Sequence, residues 1–134
     1  MTRFGVSIVP SASGRSDPVA EARRAEELGL DHVSIWDHPH GERPSLETWT
    51  LLTWIAARTE RIGLATDVLG LPFRLPALTA KMAETLDRLS GGRVILGLGG
   101  GGNDHRTQIC STLGALELEL PEIDGWDYWA NGRT

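Results

Sequence analysis

The chain has very few cysteines and no long apolar segment near its N-terminus, and these two scarcities exclude several protein classes. Because Cys110 is the only cysteine, an internal disulfide cannot form, and disulfide-stabilised secreted domains are excluded. The N-terminal residues contain no apolar run long enough for a signal peptide or a membrane span. We therefore expect a cytoplasmic protein without a membrane partner.

Positive charge is also scarce, since the chain carries 13 basic and 18 acidic residues and a formal net charge of −5. Lys81 is the only lysine, and the arginines are scattered among carboxylates along the chain. Nucleic-acid binding needs a concentrated basic surface, so no nucleic-acid partner is expected. A small-molecule substrate fits this composition better, and the length suffices for one domain with a real core.

Apolar runs recur along the first hundred residues with a regular period. The predicted strands begin about thirty residues apart, the length of a strand plus a crossover helix, at Phe4, His32, Ile62 and Val94. The third strand is predicted over 62–69 and the fourth over 94–98. This pattern predicts an α/β fold with four parallel strands and three crossover helices, either in a doubly wound sheet or in a (β/α)8 barrel.

Short-range signals mark the ends of the three predicted helices. Asp17 followed by proline is typical of a helix start, and Gly29 is typical of a left-handed helix stop. Ser45 is predicted to cap the second helix. The third helix is predicted to follow a proline-rich loop and to end at Ser90-Gly91-Gly92.

The Asp37–His38 pair follows the second predicted strand, where ligands of parallel sheets bind. A titratable pair at this place suits proton transfer, since histidine titrates near neutral pH. The alternative, that Asp37 stabilises its own turn and His38 lies on the surface, stays open. His38 and His40 also suggest a zinc-dependent hydrolase, but no convincing third and fourth ligand is evident, so no metal is expected.

A run of four glycines follows the fourth predicted strand, comprising Gly99, Gly100, Gly101 and Gly102. Without a Cβ, backbone N–H groups can approach an anionic ligand closely. The run resembles a dinucleotide fingerprint poorly, because neither a following helix nor a suitably spaced acidic residue is evident. We interpret it as a phosphate-binding strand end, to which Arg74 either adds charge or, as is commoner, contributes nothing because it is solvated.

Four ordered segments resemble the N-terminal part of the luciferase-like monooxygenase family. They are FGVSIVP from Phe4, AEELGLD from Ala25, SIWDHP from Ser34 and RIGLATDVLGLPFRLPALTAKMAETLDRLSGGRVILGLGGGG from Arg61. The most specific piece is TLDRLSGGRVILGLG. The resemblance implies the N-terminal half of a TIM (β/α)8 barrel over 1–102, with a divergent tail over 103–134, in an oxidoreductase that uses FMN or coenzyme F420.

The same resemblance implies roles for particular residues. His38 matches a histidine that handles a proton beside the cofactor ring while hydride moves. Asp67–Val68 matches a non-prolyl cis peptide that backs the ring. Gly100 and Gly101 match a loop that contacts the phosphate-bearing tail of the cofactor. The implied activity is hydride transfer or oxygenation of a small organic substrate.

Two departures from the family pattern concern the substrate. Gly102 replaces an acidic residue that some deazaflavin sugar dehydrogenases carry, and Glu42 lies near the place of an expected aromatic residue. Both departures argue against sugar-phosphate dehydrogenation.

Length is the third departure, because a complete barrel needs about 250 residues and eight strands. We therefore expect either an enzyme impaired by truncation or a homo-oligomer in which a second copy completes the barrel. A flavin-binding or protein-interaction remnant without turnover is the alternative function.

Overall fold

A computed structural model describes residues 2–14, 16–39 and 44–100 of the chain. The predicted tail over 103–134 lies outside the described residues, as do His40, Gly101 and Gly102. The strands are β1 (Gly5–Ser7), β2 (His32–Ile35), β3 (Gly63–Thr66), β4 (Leu69–Gly70), β5 (Val94–Ile95) and β6 (Leu98–Gly99). The helices are α1 (Pro18–Glu27), α2 (Thr48–Ala56) and α3 (Pro76–Ser90), and a short 3-10 turn covers Leu71–Phe73.

The main sheet is parallel, with strand order β1-β2-β3-β5. Neighbouring strands are in register at Gly5 and His32, at His32 and Gly63, and at Leu64 and Val94. This order confirms the predicted four parallel strands with three crossover helices. Since right-handed crossovers place successive helices on the same side, the helices cover one face of the sheet.

The third and fourth strands differ from their predicted lengths, because each is divided in two. The second parts, β4 and β6, form a separate parallel pair in which Leu69 lies opposite Leu98. The Leu69 N–H donates to the carbonyl oxygen of Gly97 at 2.8 Å. The predicted strand over 62–69 was therefore too long, because its chain changes direction after Thr66 and joins a second ladder.

The core lies between the main sheet and the helices. It contains fully buried strand residues such as Val33, Ile35 and Leu64, packed with Leu52 and Ile55 of α2. Side chains alternate along a strand, so the residues between these on β2 point to the opposite face of the sheet. None of the helices within the described residues is long and apolar enough to cross a membrane.

Local signals account for most of the helix ends. Asp17 Oδ1 accepts hydrogen bonds from Val19 N at 2.9 Å and Ala20 N at 3.2 Å, which confirms the predicted cap of α1. The predicted stops at Gly29 and Gly91 have positive φ angles of 79° and 74°, a conformation that glycine adopts without strain.

The predicted cap of the second helix was wrong. The N-cap of α2 is Glu47, whose carboxylate accepts hydrogen bonds from the backbone N–H groups of Trp49 and Thr50. Ser45 instead forms an isolated antiparallel bridge with Ser11 in the preceding loop. A serine near a helix start resembles a cap in sequence, but here the bridge holds its backbone outside the helix.

Arg93 joins chain segments at the amino-terminal ends of the strands by hydrogen bonds. Its guanidinium donates to the carbonyl oxygens of Ala56 at 2.8 Å and Ile62 at 3.1 Å, and to Thr59 Oγ1 at 2.9 Å. Its Nε donates to the Ser90 carbonyl oxygen at 2.8 Å. One side chain thus joins the end of α2, the start of β3 and the end of α3.

Glu26 organises the turn before β3. Its Oε1 accepts hydrogen bonds from the backbone N–H groups of Glu60, Arg61 and Ile62 at 2.9, 2.6 and 2.9 Å. Although burial acts to raise the pKa of Glu26, these hydrogen bonds and the Arg61 charge hold it below the ordinary value of 4.5. A lowered folded-state pKa stabilises the fold above the unfolded-state pKa, and this stability is lost as the pH falls through the folded-state pKa.

We expect Glu26→Gln to lower the free energy of unfolding by about 1 kcal/mol at pH 7, since solvent screens part of the interaction. The difference from the parent should shrink in acid, where the parent carboxyl is protonated. Urea unfolding at pH 7 and pH 3 measures both values. The matched control is Glu27→Gln, because Glu27 is exposed and forms only an i,i+3 pair with Arg24. An equal loss of unfolding free energy at the two pH values would show that the charge of the Glu26 carboxylate does not stabilise the fold.

Candidate functional site

The carboxyl ends of β2, β3 and β6 meet, and they carry most of the predicted site. Asp67 N donates to the Ile35 carbonyl oxygen at 2.9 Å, which joins the end of β3 to the end of β2. Gly70 lies opposite Gly99 in the β4–β6 pair. The structure therefore brings together the segments around Asp37, His38, Asp67, Val68 and Gly99, as parallel topology requires.

Asp37 lies on the helix side of the sheet, and its side chain is 0% exposed. Its Oδ2 accepts hydrogen bonds from Gly70 N at 2.8 Å and Arg74 Nη1 at 2.5 Å, and its Oδ1 accepts one from Arg74 Nη2 at 3.2 Å. The expectation that Asp37 faces a ligand beside His38 differs from this arrangement. Residues 33, 35 and 37 point to one side of the extended segment, and the carboxylate is occupied by protein groups.

Arg74 is nearly buried and paired with two carboxylates. Its side chain is 11% exposed, and its Nη2 also donates to Glu47 Oε1. Burial acts to lower the pKa of Arg74, but Asp37 and Glu47 together raise it. Burial acts to raise the pKa of Glu47, yet hydrogen bonds from Thr50, Trp49 and Arg74 lower it. The solvated alternative for Arg74 was therefore wrong, because two carboxylates hold its guanidinium.

His38 occupies the other side of the same extended segment and is exposed. Its ring lies beside Trp36, with 5.3 Å between the ring centroids and an interplanar angle of 44°. Among the described residues no hydrogen bond engages the His38 imidazole. The ring is therefore available to a ligand, whereas the Asp37 carboxylate is not.

The Asp67–Val68 peptide bond is cis, as the family resemblance implied. Val68 is 45% exposed on one side. On its other side it contacts the backbone of β6, where a Cβ placed on Gly99 would overlap Val68 Cγ2. Gly99 is therefore explained by packing within the protein, which differs from the ligand approach proposed from the sequence.

Gly100 differs from its neighbour. A Cβ placed on Gly100 would meet no heavy atom of the described residues within 4 Å, so no part of 2–14, 16–39 or 44–100 fills the space beside its backbone. Gly100 therefore remains a candidate for ligand contact, while Gly101 and Gly102 lie outside the described residues.

Gly97 joins the two short ladders. Its N–H donates to Thr66 Oγ1 at 3.0 Å, and Thr66 Oγ1 donates to the Gly97 carbonyl oxygen at 2.8 Å. A Cβ on Gly97 would overlap the backbone carbonyl oxygen of Thr66. Because a backbone carbonyl cannot rotate away like a side chain, this position requires glycine.

We expect Gly97→Ala to lower the free energy of unfolding by about 1–3 kcal/mol through overpacking. Gly100→Ala is the matched control and should change stability by less than about 0.5 kcal/mol, since it enters open space. Urea unfolding compares the two variants. Equal stability of Gly97→Ala and Gly100→Ala contradicts the close approach of Gly97 to Thr66.

A cleft of about 610 Å³ opens between the loop after β1 and the segment leading to α2. Its lining includes Pro10, Ser11, Ser13, Trp36 and Ser45. Trp36 lines this cleft and also contacts the His38 ring. This volume is within the range of small-molecule sites. Sequence reasoning missed Trp36, although its position two residues before His38 puts both rings on one side of an extended segment.

The zinc alternative rests on His38 and His40, and His40 lies outside the described residues. Within 2–14, 16–39 and 44–100, no group of three or more histidine, cysteine, aspartate or glutamate side chains comes together to hold a metal ion.

Comparison with known proteins connects this strand-end arrangement to characterised enzymes. Residues 1–112 match the family model described as luciferase-like monooxygenase. An F420-dependent glucose-6-phosphate dehydrogenase of Amycolatopsis mediterranei (strain U-32) is 39% identical over 108 residues, which cover 75% of this chain and 32% of that protein. The chain therefore spans about a third of the length of this curated relative.

Solved structures share the fold of the described strands and helices. The oxygenating constituent of 3,6-diketocamphane monooxygenase from Pseudomonas putida, in complex with FMN, has a TM-score of 0.65 and 27% identity over 75% of this chain and 30% of its own. Coenzyme F420-dependent tetrahydromethanopterin reductase from Methanopyrus kandleri has a TM-score of 0.63 and 29% identity over 89% of this chain and 31% of its own. The α/β partial barrel is thus confirmed, and the chain belongs to the luciferase-like monooxygenase family.

Proposed function

We propose that this chain provides the N-terminal part of an FMN- or F420-dependent oxidoreductase that transfers hydride to or from a small organic substrate, or oxygenates it. The observation that carries the proposal is that exposed His38, half-exposed Val68 and Gly100 lie at the same, carboxyl end of the strands. Relatives that depend on F420 or are bound to FMN support the same cofactor class.

The described residues fit such a cofactor. Val68 exposes nearly half of its surface beside the strand end, which suits contact with a flat apolar ring. The backbone at Gly100 faces open space, which suits a phosphate-bearing tail. In this proposal Asp67, Val68, Gly99 and Gly100 hold the cofactor, with Gly99 acting by keeping Val68 in place.

His38 moves a proton in this proposal. A bound cofactor supplies the capacity to accept or donate hydride. The His38 imidazole accepts a proton from the substrate when the substrate loses hydride, and returns it in the opposite direction. Trp36 limits the rotation of the His38 ring by contacting it. Trp36 also lines the cleft that receives the substrate in this proposal. Asp37 contributes by fixing the end of β2, since its carboxylate is buried away from the cleft.

Titration of the folded protein with FMN and with F420 tests this function. We expect saturable binding of one of the two, seen as a change in the absorbance or fluorescence of the cofactor. Gly100→Trp, which fills the open space, should weaken this binding, while the exposed-surface variant Glu84→Gln should not. Failure of both cofactors to bind folded protein contradicts the proposed function.

The alternative function, a barrel remnant without turnover, stays a prediction. Such a remnant binds a flavin or a protein partner without turnover. Cofactor binding with no oxidation or reduction of any tested substrate supports this candidate. Self-association and cytoplasmic location stay predictions, of which sedimentation tests the first.

A further inference from the structure

Arg74 connects the three chain segments that surround the proposed site. Its guanidinium contacts Asp37 at the end of β2 and Glu47 at the start of α2. It also donates to the Gly70 carbonyl oxygen at 3.4 Å. Asp37 in turn accepts the Gly70 N–H at 2.8 Å, so the ion pair and the β4 backbone form one network.

The network lies directly behind the proposed site residues. Asp37 is adjacent to His38 in sequence, and Gly70 follows Val68 by two residues. Neighbouring residues of an extended segment point to opposite sides, so the Asp37 side chain and the His38 ring lie on opposite sides of one short stretch of backbone. We therefore expect a displacement of Asp37 to change the orientation of the His38 ring. Displacement of Gly70 likewise moves the Asp67–Val68 segment.

The fork geometry of arginine is needed for these contacts. Arg74 Nη1 donates hydrogen bonds to Asp37 Oδ2 and the Gly70 carbonyl oxygen, and Nη2 donates to Asp37 Oδ1 and Glu47 Oε1. A lysine ammonium keeps the positive charge but lacks the planar two-nitrogen fork. The packing around Gly70 is also tight, since a Cβ there would contact the Phe73 ring and approach Asp37 Oδ2 to 3.4 Å.

We propose that Arg74 is a positioning residue that sets His38 and the Asp67–Val68 segment relative to each other across the proposed site. This inference rests on the proposed function for its catalytic meaning, but the positioning itself is a property of the protein without cofactor. In this proposal Arg74 acts through its contacts with Asp37, Glu47 and Gly70.

Arg93 offers a matched control, because it is a second multiply bonded arginine at the opposite, amino-terminal end of the sheet. Arg74→Lys and Arg93→Lys are compared by NMR without cofactor, following the His38 ring and Val68 methyl signals. We expect Arg74→Lys to displace both sets of signals and Arg93→Lys to leave them in place, even where the two variants lose equal stability. Unchanged signals in Arg74→Lys, or equal displacement by Arg93→Lys, overturn the proposal.

Cofactor binding and turnover provide the second measurement. At matched stability we expect Arg74→Lys to lower cofactor affinity or kcat by roughly 10- to 100-fold, because misplacement of reacting groups by about 1 Å has effects of this size. Parental values in Arg74→Lys overturn the proposal. If the parent binds neither FMN nor F420, the proposed function fails, and the NMR comparison still decides whether Arg74 positions His38.

A double variant keeps the proposal testable if Arg74→Lys does not fold. Asp37→Asn with Arg74→Gln removes both members of the buried ion pair, so no buried charge is left unpaired, and the Glu47 carboxylate, which also loses Arg74, is 45% exposed to solvent. We expect the double variant to fold and to displace the His38 and Val68 signals. Parental positions of these signals in the folded double variant overturn the proposal.

Discussion

Replacing Arg74 with methionine is expected to lower the free energy of unfolding by about 3–5 kcal/mol, because the substitution leaves a buried carboxylate without its cation. The Asp37 side chain is 0% exposed and would keep only the Gly70 N–H as a strong partner. Domains of this size have a total stability of about 5–15 kcal/mol, so a large fraction of the protein would unfold under mild denaturation. Urea unfolding at pH 7 measures the loss.

Two controls separate this effect from the general removal of an arginine. Arg88 is 79% exposed and pairs with Glu84 on the surface of α3, so Arg88→Met should cost less than about 1 kcal/mol. Adding Asp37→Asn to Arg74→Met should recover much of the loss, since no buried charge then remains. Equal stability of Arg74→Met and Arg88→Met contradicts the buried ion pair.

Replacing His38 with alanine is expected to lower turnover by about 10² to 10⁴, the contribution typical of a general acid or base. The effect on stability should stay within about 0.5 kcal/mol, because the His38 ring is exposed and contacts chiefly Trp36. Cofactor affinity should remain close to that of the parent. Steady-state rates and cofactor titration, measured on the same samples, check the three expectations.

His38→Gln is the matched variant for this prediction. Glutamine keeps a polar side chain beside Trp36 but cannot exchange a proton near neutral pH. It should therefore lose turnover as alanine does. Parental turnover in His38→Ala would show that His38 does not handle the proton.

Much of the fold could be predicted from the sequence because its signals act over short distances. The Asp17 cap and the positive-φ stops at Gly29 and Gly91 depend on a few neighbouring residues. The order of strands and helices followed from the thirty-residue period of the apolar runs. The cis geometry at Asp67–Val68 came from family resemblance, and no composition or periodicity indicates it.

The errors arose where distant residues decide the structure. Asp37 and Arg74 are separated by 37 positions, so nothing near either residue shows that they form a buried ion pair. Ser45 and Glu47 both lie near the start of α2. Ser45 pairs with Ser11 in a β-bridge outside the helix, and Glu47 is the N-cap. For Gly99, close packing against Val68 explains the missing Cβ, and its contact with a cofactor stays a prediction.

We propose that a flavin-type cofactor binds at the carboxyl ends of the strands, beside His38, Val68 and Gly100. NMR spectra of the protein titrated with FMN and with F420 show directly whether it does. We expect shifts of the His38 ring, the Val68 methyl groups and the Gly100 amide that saturate together, while signals around Arg93 at the opposite end stay in place. No shift with either cofactor, or shifts confined to the Arg93 end of the sheet, would contradict it.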